Sequence, residues 1–367
     1  MTESNLLATL ALLRSPNIGD ILARRLIRHF GSAEAIFKSK KRSIGKIDGI
    51  GGQLLNDLFN PLNFTDAEQE LRFMEDQNIS CSYFLEESYP ERLKHCVDGP
   101  VLLFQRGRIN LGDKPIISIV GTRQITSLGR AFCRNLVESL SVYNPVIISG
   151  FAYGTDIIAQ RAAVDSNLQT IGCLAHGFEQ IYPKSHEPYM KRIMEHGGFF
   201  TDFWSIDTFE RTNFIKRNRI IAGLSEATVV IESAEKGGSL ITADLARSYD
   251  REVFAVPGRP SNPYSVGCNN LIKYQQAHML TQPEDIPYIL NWRSPEAILP
   301  AEVKLVPELN SNEKLIYDHL LIHDRSSLDS ISRNTGLPTN EVASILLKLE
   351  LRNLIRPLPG KAYEIHT

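Results

Sequence analysis

Several features that mark other classes of protein are missing from this 367-residue sequence. No apolar run reaches the length needed to cross a bilayer, and the N-terminus lacks the basic start of a secretory signal. Only five cysteines are present, and an odd number without a Cys-x-x-Cys pair argues against a disulfide framework. We therefore expect a cytoplasmic protein with no membrane partner.

Sequence motifs of catalysis are missing as well. The sequence contains no Gly-x-x-x-x-Gly-Lys-[Ser/Thr] phosphate loop, no His-Glu-x-x-His zinc site and no Gly-x-Ser-x-Gly nucleophile. His186-Glu187 lacks the second histidine that zinc would need, and His176 is predicted to be a turn residue. We expect no catalytic residue, no metal site and no cofactor.

The pattern from residue 112 onward predicts an α/β fold. Hydrophobic content of 43% and charge of 22% are typical of a soluble globular protein, and the length favours two to three domains. Apolar strands alternate with helical stretches, which indicates a Rossmann-like, doubly wound parallel sheet. The predicted strands are Ile116–Val120, Val146–Ser149, Thr170–Leu174, Ala227–Ile231 and Glu252–Val256. The predicted helices are Ser127–Ser141, Tyr153–Asp165, Ser185–His196, Asn213–Leu224 and Ser239–Tyr249.

Ligands of such sheets bind where the strands end, so the turns there are candidate sites. The first turn has Arg123 where a dinucleotide fingerprint needs glycine, which argues against a dinucleotide and offers donors for a phosphate. Two further loops pair glycines with hydroxyl residues at a helix start, a combination that suits anions. Their candidate residues are Ser149, Gly150, Gly237, Gly238, Ser239 and Thr242.

The segment Asn213–Ser225 is a further candidate for the binding site at the strand ends. Read as a helix, it places Phe214, Arg217, Asn218 and Ile221 on one face by their i, i+3, i+4, i+7 spacing. A neighbouring face carries two more cations, Lys216 and Arg219. An aromatic ring beside a guanidinium suits the stacking of a base and the binding of its phosphate. The competing interpretation is an ordinary amphipathic helix, and the phosphate-binding loops nearby favour the binding site.

The two ends of the chain differ in charge. Residues 1–60 carry nine basic and five acidic residues, which suits a polyanion, whereas residues 300–367 carry eight basic and nine acidic residues. Ser15–Gly19 and Ile47–Gly52 resemble the turns of helix-hairpin-helix modules, although their glycines are equally consistent with simple helix caps. Residues 312–367 read as a winged helix, and their charge favours a protein-contact or regulatory role over DNA binding.

A series of motifs occurs in order along nearly the whole chain. The motifs are Tyr89-Pro90-x-x-Leu93, Gly99–Leu103, Val120–Arg123, Ser149-Gly150-Phe151-Ala152-x-Gly154-x-Asp156, Tyr182-Pro183, Arg217–Ser225, Gly238–Ala243, Ala255–Gly258 and Asn270–Ile272. With this series the sequence resembles the DprA/Smf family, whose Rossmann-like domain dimerises and holds single-stranded DNA. The resemblance implies a homodimer, transfer of DNA to the RecA recombinase and a role in natural transformation.

These observations combine into one expectation and one alternative. We expect a non-enzymatic, single-stranded DNA-binding mediator of recombination. Its domains are expected at 1–60 (helix-hairpin-helix), 61–111 (connecting segment), 112–290 (Rossmann-like), 291–311 (linker) and 312–367 (winged helix). The alternative is a nucleotide-binding enzyme of the phosphoribohydrolase type, whose Pro-Gly-Gly-x-Gly-Thr-x-x-Glu loop is echoed by Lys236–Thr242 without its proline, third glycine and glutamate.

Overall fold

A computed structural model describes residues 1–293, 309–323, 325–352, 354–358 and 360–365. Contacts divide the chain into two compact units, Met1–Pro295 and Glu296–Thr367. The expected helix-hairpin-helix, connecting and Rossmann-like segments thus lie within one unit. Most of the expected linker, residues 294–308, lies outside the described residues.

The first unit begins with six helices. They are α1 (Glu3–Arg14), α2 (Asp20–Phe30), α3 (Ala33–Lys38), α4 (Lys41–Ile44), α5 (Gly52–Leu58) and α6 (Leu62–Asp76). α1 packs against α6 and α3 through a buried face that includes Leu10 and Leu12. The two predicted hairpins connect α1 to α2 and α4 to α5, as the helix-hairpin-helix pattern requires.

Within the described residues, the rest of this unit is built on one nine-stranded sheet. Its strands are β1 (Ser80–Tyr83), β2 (Leu102–Gly107), β3 (Ile116–Val120), β4 (Val146–Ser149), β5 (Thr170–Cys173), β6 (Gly197–Thr201), β7 (Ala227–Val230), β8 (Glu252–Ala255) and β9 (His278–Met279). The spatial order is β1-β2-β6-β5-β4-β3-β7-β8-β9. The seven strands from β6 to β9 run parallel, and β1 and β2 add an antiparallel edge.

Helices cover both faces of the sheet, which makes it doubly wound. They are α7 (Glu91–Lys94), α8 (Ser127–Ser139), α9 (Thr155–Asp165), α10 (Glu187–His196), α11 (Arg211–Leu224), α12 (Gly238–Ser248), α13 (Val266–Lys273) and α14 (Asp285–Ile289), with short 3₁₀ helices at Leu140–Tyr143 and Lys184–His186. One core joins the sheet to α8, α9, α10 and α14. The other core joins it to α11, α12, α13 and the N-terminal helices.

The predicted parallel strands agree with β3, β4, β5, β7 and β8 to within one residue at each end. The sequence pattern did not predict β1, β2, β6 and β9. β6 has the sequence Gly-Gly-Phe-Phe-Thr, in which the two glycines weaken the apolar pattern of a strand. These glycines allow close packing against the main-chain carbonyls of Thr170 and Arg106. The segment expected to be a connector, residues 61–111, contains α6, β1, α7 and β2.

The second unit is small and has a core of its own, formed by residues such as Ile316, Leu320 and Leu346. Its elements are α15 (Ser311–His323), β10 (Arg325–Ser327), α16 (Leu328–Thr335), α17 (Thr339–Leu351), β11 (Ile355–Leu358) and β12 (Ala362–Ile365). The strands form a sheet in the order β10-β12-β11. Three helices with a terminal hairpin give the predicted winged helix. In neither unit do the described residues include a helix long and apolar enough to span a membrane.

Candidate nucleic-acid interface

The chain reverses its winding direction at β3, and a cleft opens there. β3 lies between β4 and β7, and the backbone N–H of Thr122 donates to the carbonyl of Glu232 at 2.7 Å, joining the ends of β3 and β7. In doubly wound sheets this switch point is where ligands bind. The cleft has a volume of about 320 Å³. Its lining includes Thr122, Arg123, Ala152, Phe214, Arg217, Asn218, Ser233, Gly237, Gly238, Ser239 and Thr242.

Helix α11 presents the predicted face to this cleft. Phe214, Arg217, Asn218 and Ile221 all line it, so the helical spacing in the sequence placed these four side chains correctly. Asn218 is mostly buried, whereas Phe214 is half-buried and reaches the mouth of the cleft. The helix therefore supplies one aromatic ring at an accessible position.

Arg123 and Phe214 form a cation–π pair at the mouth. The Arg123 guanidinium carbon lies 4.6 Å from the centroid of the Phe214 ring, and the arginine is exposed. An exposed guanidinium held over an aromatic face presents both a stacking surface and phosphate donors at one place. This is the chemistry that a nucleotide unit of a single strand requires.

A glycine loop forms the opposite wall. α12 begins at Gly238 after the N-cap residue Gly237, and no side chain caps it. The first N–H groups of an uncapped helix, together with the helix dipole, favour an anion. The hydroxyl of Ser239 is buried and donates to the Ser233 hydroxyl at 2.9 Å, and Thr242 is also buried. The backbone amides near Gly238 are thus better placed for a phosphate than these two hydroxyls.

Arg217 lines the floor of the cleft, and its predicted role needs correction. Only 3% of the residue is exposed, and its guanidinium donates to the carbonyls of Gly150, at 2.6 Å, and Cys173. Burial raises the pKa of the neighbouring Asp156 carboxyl, a shift that the positive charge of Arg217 opposes. With its donors directed at main-chain carbonyls, Arg217 positions the strand ends and does not reach out to a phosphate.

The loop after β4 also differs from its predicted role, because its polar groups are engaged inside the protein. The Ser149 side chain is fully buried and donates to the Ile119 carbonyl at 2.6 Å. A Cβ atom placed on Gly150 would lie 2.5 Å from an Arg217 nitrogen and 2.6 Å from an Asp156 oxygen. The glycine therefore makes room for the arginine, and the Ser149 hydroxyl and the Gly150 carbonyl are both engaged inside the protein.

The two remaining predicted cations lie outside the cleft. Lys216 and Arg219 line a second groove of about 850 Å³ on the other side of α11. Arg219 is bound by the carboxylates of Asp20, at 2.9 Å, and Asp202, so its guanidinium is engaged inside the protein and not directed at the cleft. Lys216 is exposed.

Two aromatic residues that were not among the predicted site residues lie beside Phe214. The Phe209 ring centroid is 5.6 Å from that of Phe214, and the Tyr182 centroid is 5.8 Å away. Tyr182 follows a turn held by His176, whose Nε2 accepts from the Tyr182 backbone N–H at 3.3 Å, and burial lowers the pKa of that histidine. The sequence signals for this cluster were the motif Tyr182-Pro183 and a phenylalanine, Phe209, within the polar loop Ser205–Arg211.

The residues that the structure describes contain no group of three or more His, Cys, Asp or Glu side chains arranged to hold a metal ion. The cysteines outside β1 are buried, and burial raises the pKa of Cys133 to about 12.

Fold and cleft together define a class: a Rossmann-like α/β protein with a cationic and aromatic cleft at its switch point, helical hairpins before it and a winged helix after it. A family model described as DNA recombination-mediator protein A matches residues 80–291. Further models match residues 3–39 (DprA-like N-terminal HHH domain) and 300–361 (DprA winged helix domain). The chain belongs to the DprA/Smf family of DNA-processing proteins. The resemblance and fold class predicted from the sequence are confirmed.

Related proteins and structures agree with this membership. Protein Smf of Escherichia coli K12 is 34% identical over 301 residues, covering 80% of this chain and 79% of that protein. DNA processing protein DprA of Bacillus subtilis is 37% identical over 212 residues, covering 58% and 71%. The X-ray structure of DprA from Streptococcus pneumoniae matches with a TM-score of 0.66 at 26% identity, covering 80% of this chain and 99% of that one. A Helicobacter pylori DprA structure, described for its single-stranded DNA binding mode, matches with a TM-score of 0.53 at 27% identity, covering 59% and 97%.

Proposed function

We propose that this protein binds single-stranded DNA in the cleft at the switch point. The observation that carries the proposal is the Arg123–Phe214 pair, 4.6 Å apart, at the mouth of a cleft whose far wall is the uncapped start of α12. A base stacks against the Phe214 cluster, while its phosphates contact Arg123 and the amides near Gly238. Phosphates and ring faces carry little sequence information, so binding is tolerant of sequence.

Single strands are favoured over duplex by the position of the aromatic ring. Phe214 is half-buried at the mouth of a cleft of about 320 Å³, so a base has to leave its stack to reach the ring. Unstacking and unpairing a base in a duplex costs a few kcal/mol, which a single strand avoids.

Family membership supports a proposal for the biological role. We propose that the protein acts in the cytoplasm as a homodimer that protects single-stranded DNA and helps to load the RecA recombinase during natural transformation. The family description as a recombination mediator and the DNA processing proteins among its relatives support this role. The N-terminal hairpins, with their net positive charge, add contacts to the polyanion, and the winged helix serves protein contact or regulation.

A phosphoribohydrolase-type enzyme is the competing function. Cleavage of a glycosidic bond needs a well-placed carboxylate to stabilise an oxocarbenium-like transition state. Asp156 faces Arg217 and is 7% exposed, and Glu232 accepts from the N–H and hydroxyl of Thr126 at 2.8 and 2.6 Å. These two carboxylates are thus engaged in the framework, which supports a binding protein. Incubation with AMP tests the enzyme directly, because release of adenine would favour it.

Titration of single-stranded and duplex oligonucleotides at two salt concentrations tests the proposed function. We expect much tighter binding to the single strand, and an affinity that falls with salt at a log–log slope of about −0.7 for each phosphate contacted. Equal affinity for duplex, or binding insensitive to salt, would contradict the proposal.

A further inference from the structure

The second groove lies between α2 of the N-terminal helices and α11, and the cleft does not account for it. Its volume is about 850 Å³, and α11 separates it from the cleft. Phe214 and Arg217 line the cleft, whereas Ile215 and Lys216, which lie between them in the sequence, line the second groove. A chain leaving the cleft across this turn of α11 therefore arrives at the second groove.

Some charged residues of the second groove are paired with one another, and others are exposed without an ionic partner among the described residues. Arg219 is bound by Asp20 and Asp202; burial alone would lower its pKa, but these carboxylates raise it. Arg14 likewise pairs with Asp66, at 2.7 Å, and Asp207, at 3.4 Å. These contacts set four carboxylates against two guanidinium groups, so the arginines are fully engaged and the clusters carry a net negative charge. The charged residues of the groove lining that are exposed are both cations, Arg25 and Lys216.

Each rim cation keeps its charge available. Arg25 on α2 donates to the main-chain carbonyl of Asp48 in the second hairpin, and a neutral acceptor does not cancel its charge. Lys216 has no ionic partner in the part of the chain that the structure describes. Two unneutralised cations on facing helices suit successive phosphates of a polyanion.

Apolar side chains stand beside both cations. Ile21 on α2 is 58% exposed and Ile215 on α11 is 51% exposed, and both line the groove. Large apolar residues so exposed at a groove rim indicate a contact surface. The apolar faces of bases are suited to contact with such aliphatic side chains, and the phosphates of the backbone are suited to the cations.

We propose that a single strand of DNA held in the cleft continues across α11 into the second groove, where Lys216 and Arg25 bind its phosphates and Ile21 and Ile215 contact its bases. This inference rests on the proposed function and extends it from one site to a path. The N-terminal helices then take part in binding through defined residues rather than through net charge alone. A small apolar ligand or a peptide segment is the competing occupant.

Oligonucleotide length separates the two sites. A thymidine oligomer of about 4 nucleotides fills only the cleft, while one of about 20 exceeds the usual footprint of a single-strand binding fold, about 4–16 nucleotides. The full chain is titrated with both oligomers as Lys216→Gln with Arg25→Gln, as Ile21→Glu, and as Lys191→Gln. Lys191 is an exposed lysine on α10, across the sheet from the second groove, so it is a matched control.

We expect the double variant to lose roughly tenfold in affinity for the long oligomer, the upper range for two exposed ion pairs, with a salt slope flatter by about 1.4. Ile21→Glu should weaken the same oligomer, and Lys191→Gln should weaken neither. Binding of the short oligomer should be unchanged in all variants. Unchanged binding of the long oligomer would assign the groove to another occupant and overturn the inference, as would equal losses for both lengths. If the unaltered protein binds neither oligomer, the proposed function itself fails.

Discussion

Two glycine loops at the same edge of the sheet look alike in sequence and differ in structure. One follows β4 and contains Gly150, and the other follows β7 and contains Gly238. A Cβ atom on Gly150 would meet Arg217 and Asp156 at 2.5–2.6 Å, whereas a Cβ atom on Gly238 would meet nothing within 4 Å. The first glycine accommodates a side chain from inside the protein, and the second leaves backbone amides open to the cleft.

The difference shows that a glycine loop at a strand end has two distinct physical uses. Glycine lacks a Cβ atom and therefore allows another group to approach the backbone closely. That group is either a side chain of the protein itself or a ligand. In the loop after β4 the group is the Arg217 guanidinium, which satisfies two carbonyls. In the loop after β7 the described residues provide no side-chain cap, so the space suits a phosphate.

The largest expected effect concerns folding. Gly150→Ala should displace Arg217 and leave Asp156 buried without its compensating charge, which costs about 3–5 kcal/mol in the free energy of unfolding. Gly238→Ala is the matched control, and it should change that free energy by less than about 1 kcal/mol because alanine favours the start of α12. Urea unfolding of both variants measures the contrast. If the two variants are equally stable, the proposed difference between the two loops is wrong.

The second effect concerns binding at the open loop. In Gly238→Ala the added methyl group stands where a phosphate approaches the α12 amides. Affinity for a single strand should fall by about 1.5–3 kcal/mol, the range for a hydrogen bond to a charged group. Fluorescence anisotropy with a labelled oligonucleotide provides the measurement. Unimpaired binding would show that the amides near Gly238 do not hold a phosphate.

Phe214 is expected to act on binding more than on folding. Phe214→Ala should weaken single-strand binding by on the order of 1–3 kcal/mol and leave the salt slope nearly unchanged, because a stacking contact carries no charge. Since the ring is half-buried, the loss of folding stability should stay well below the about 3–5 kcal/mol of a fully buried phenylalanine. Thermal melting beside the titration separates the two effects. If Phe214→Ala melts early and binds normally, Phe214 is a core residue and not part of the binding site.

Arg123 gives the smallest effect and the most specific one. Arg123→Ala should lower affinity by on the order of 1 kcal/mol and flatten the salt slope by about 0.7, the value for one phosphate contact on a single strand. The comparison with Phe214→Ala is direct because the two side chains touch. A titration over several salt concentrations provides the slope. A slope identical to that of the unaltered protein would mean that Arg123 only supports the ring.

Local pattern was sufficient to predict much of the molecule. The apolar runs predicted β3, β4, β5, β7 and β8, because strands buried on both faces are continuously apolar. Helical spacing placed Phe214 and Asn218 in the cleft, and Arg123 was located by its departure from a glycine fingerprint.

The errors arose where distant segments meet. Nothing near Arg217 in the sequence reveals that the carbonyls of Gly150 and Cys173 surround it. Arg219 is bound by Asp20, from the N-terminal helices, and local spacing does not reveal a partner so far along the chain. The glycine loop after β4 resembled an anion site for the same reason, since its occupant belongs to α11. Local patterns identify residue types suited to a ligand, and tertiary contacts decide which remain free for one.

The central claim is that a base stacks on Phe214 while the adjoining phosphates contact Arg123 and the α12 amides. Photocross-linking of the full chain to an oligonucleotide carrying 5-iodouracil, mapped by mass spectrometry, tests it most directly. We expect adducts on Phe214 or on its neighbours Tyr182 and Phe209, with a lower yield in Arg123→Ala. Adducts confined to the winged helix, residues 309–365, with none in this aromatic cluster, would contradict the account.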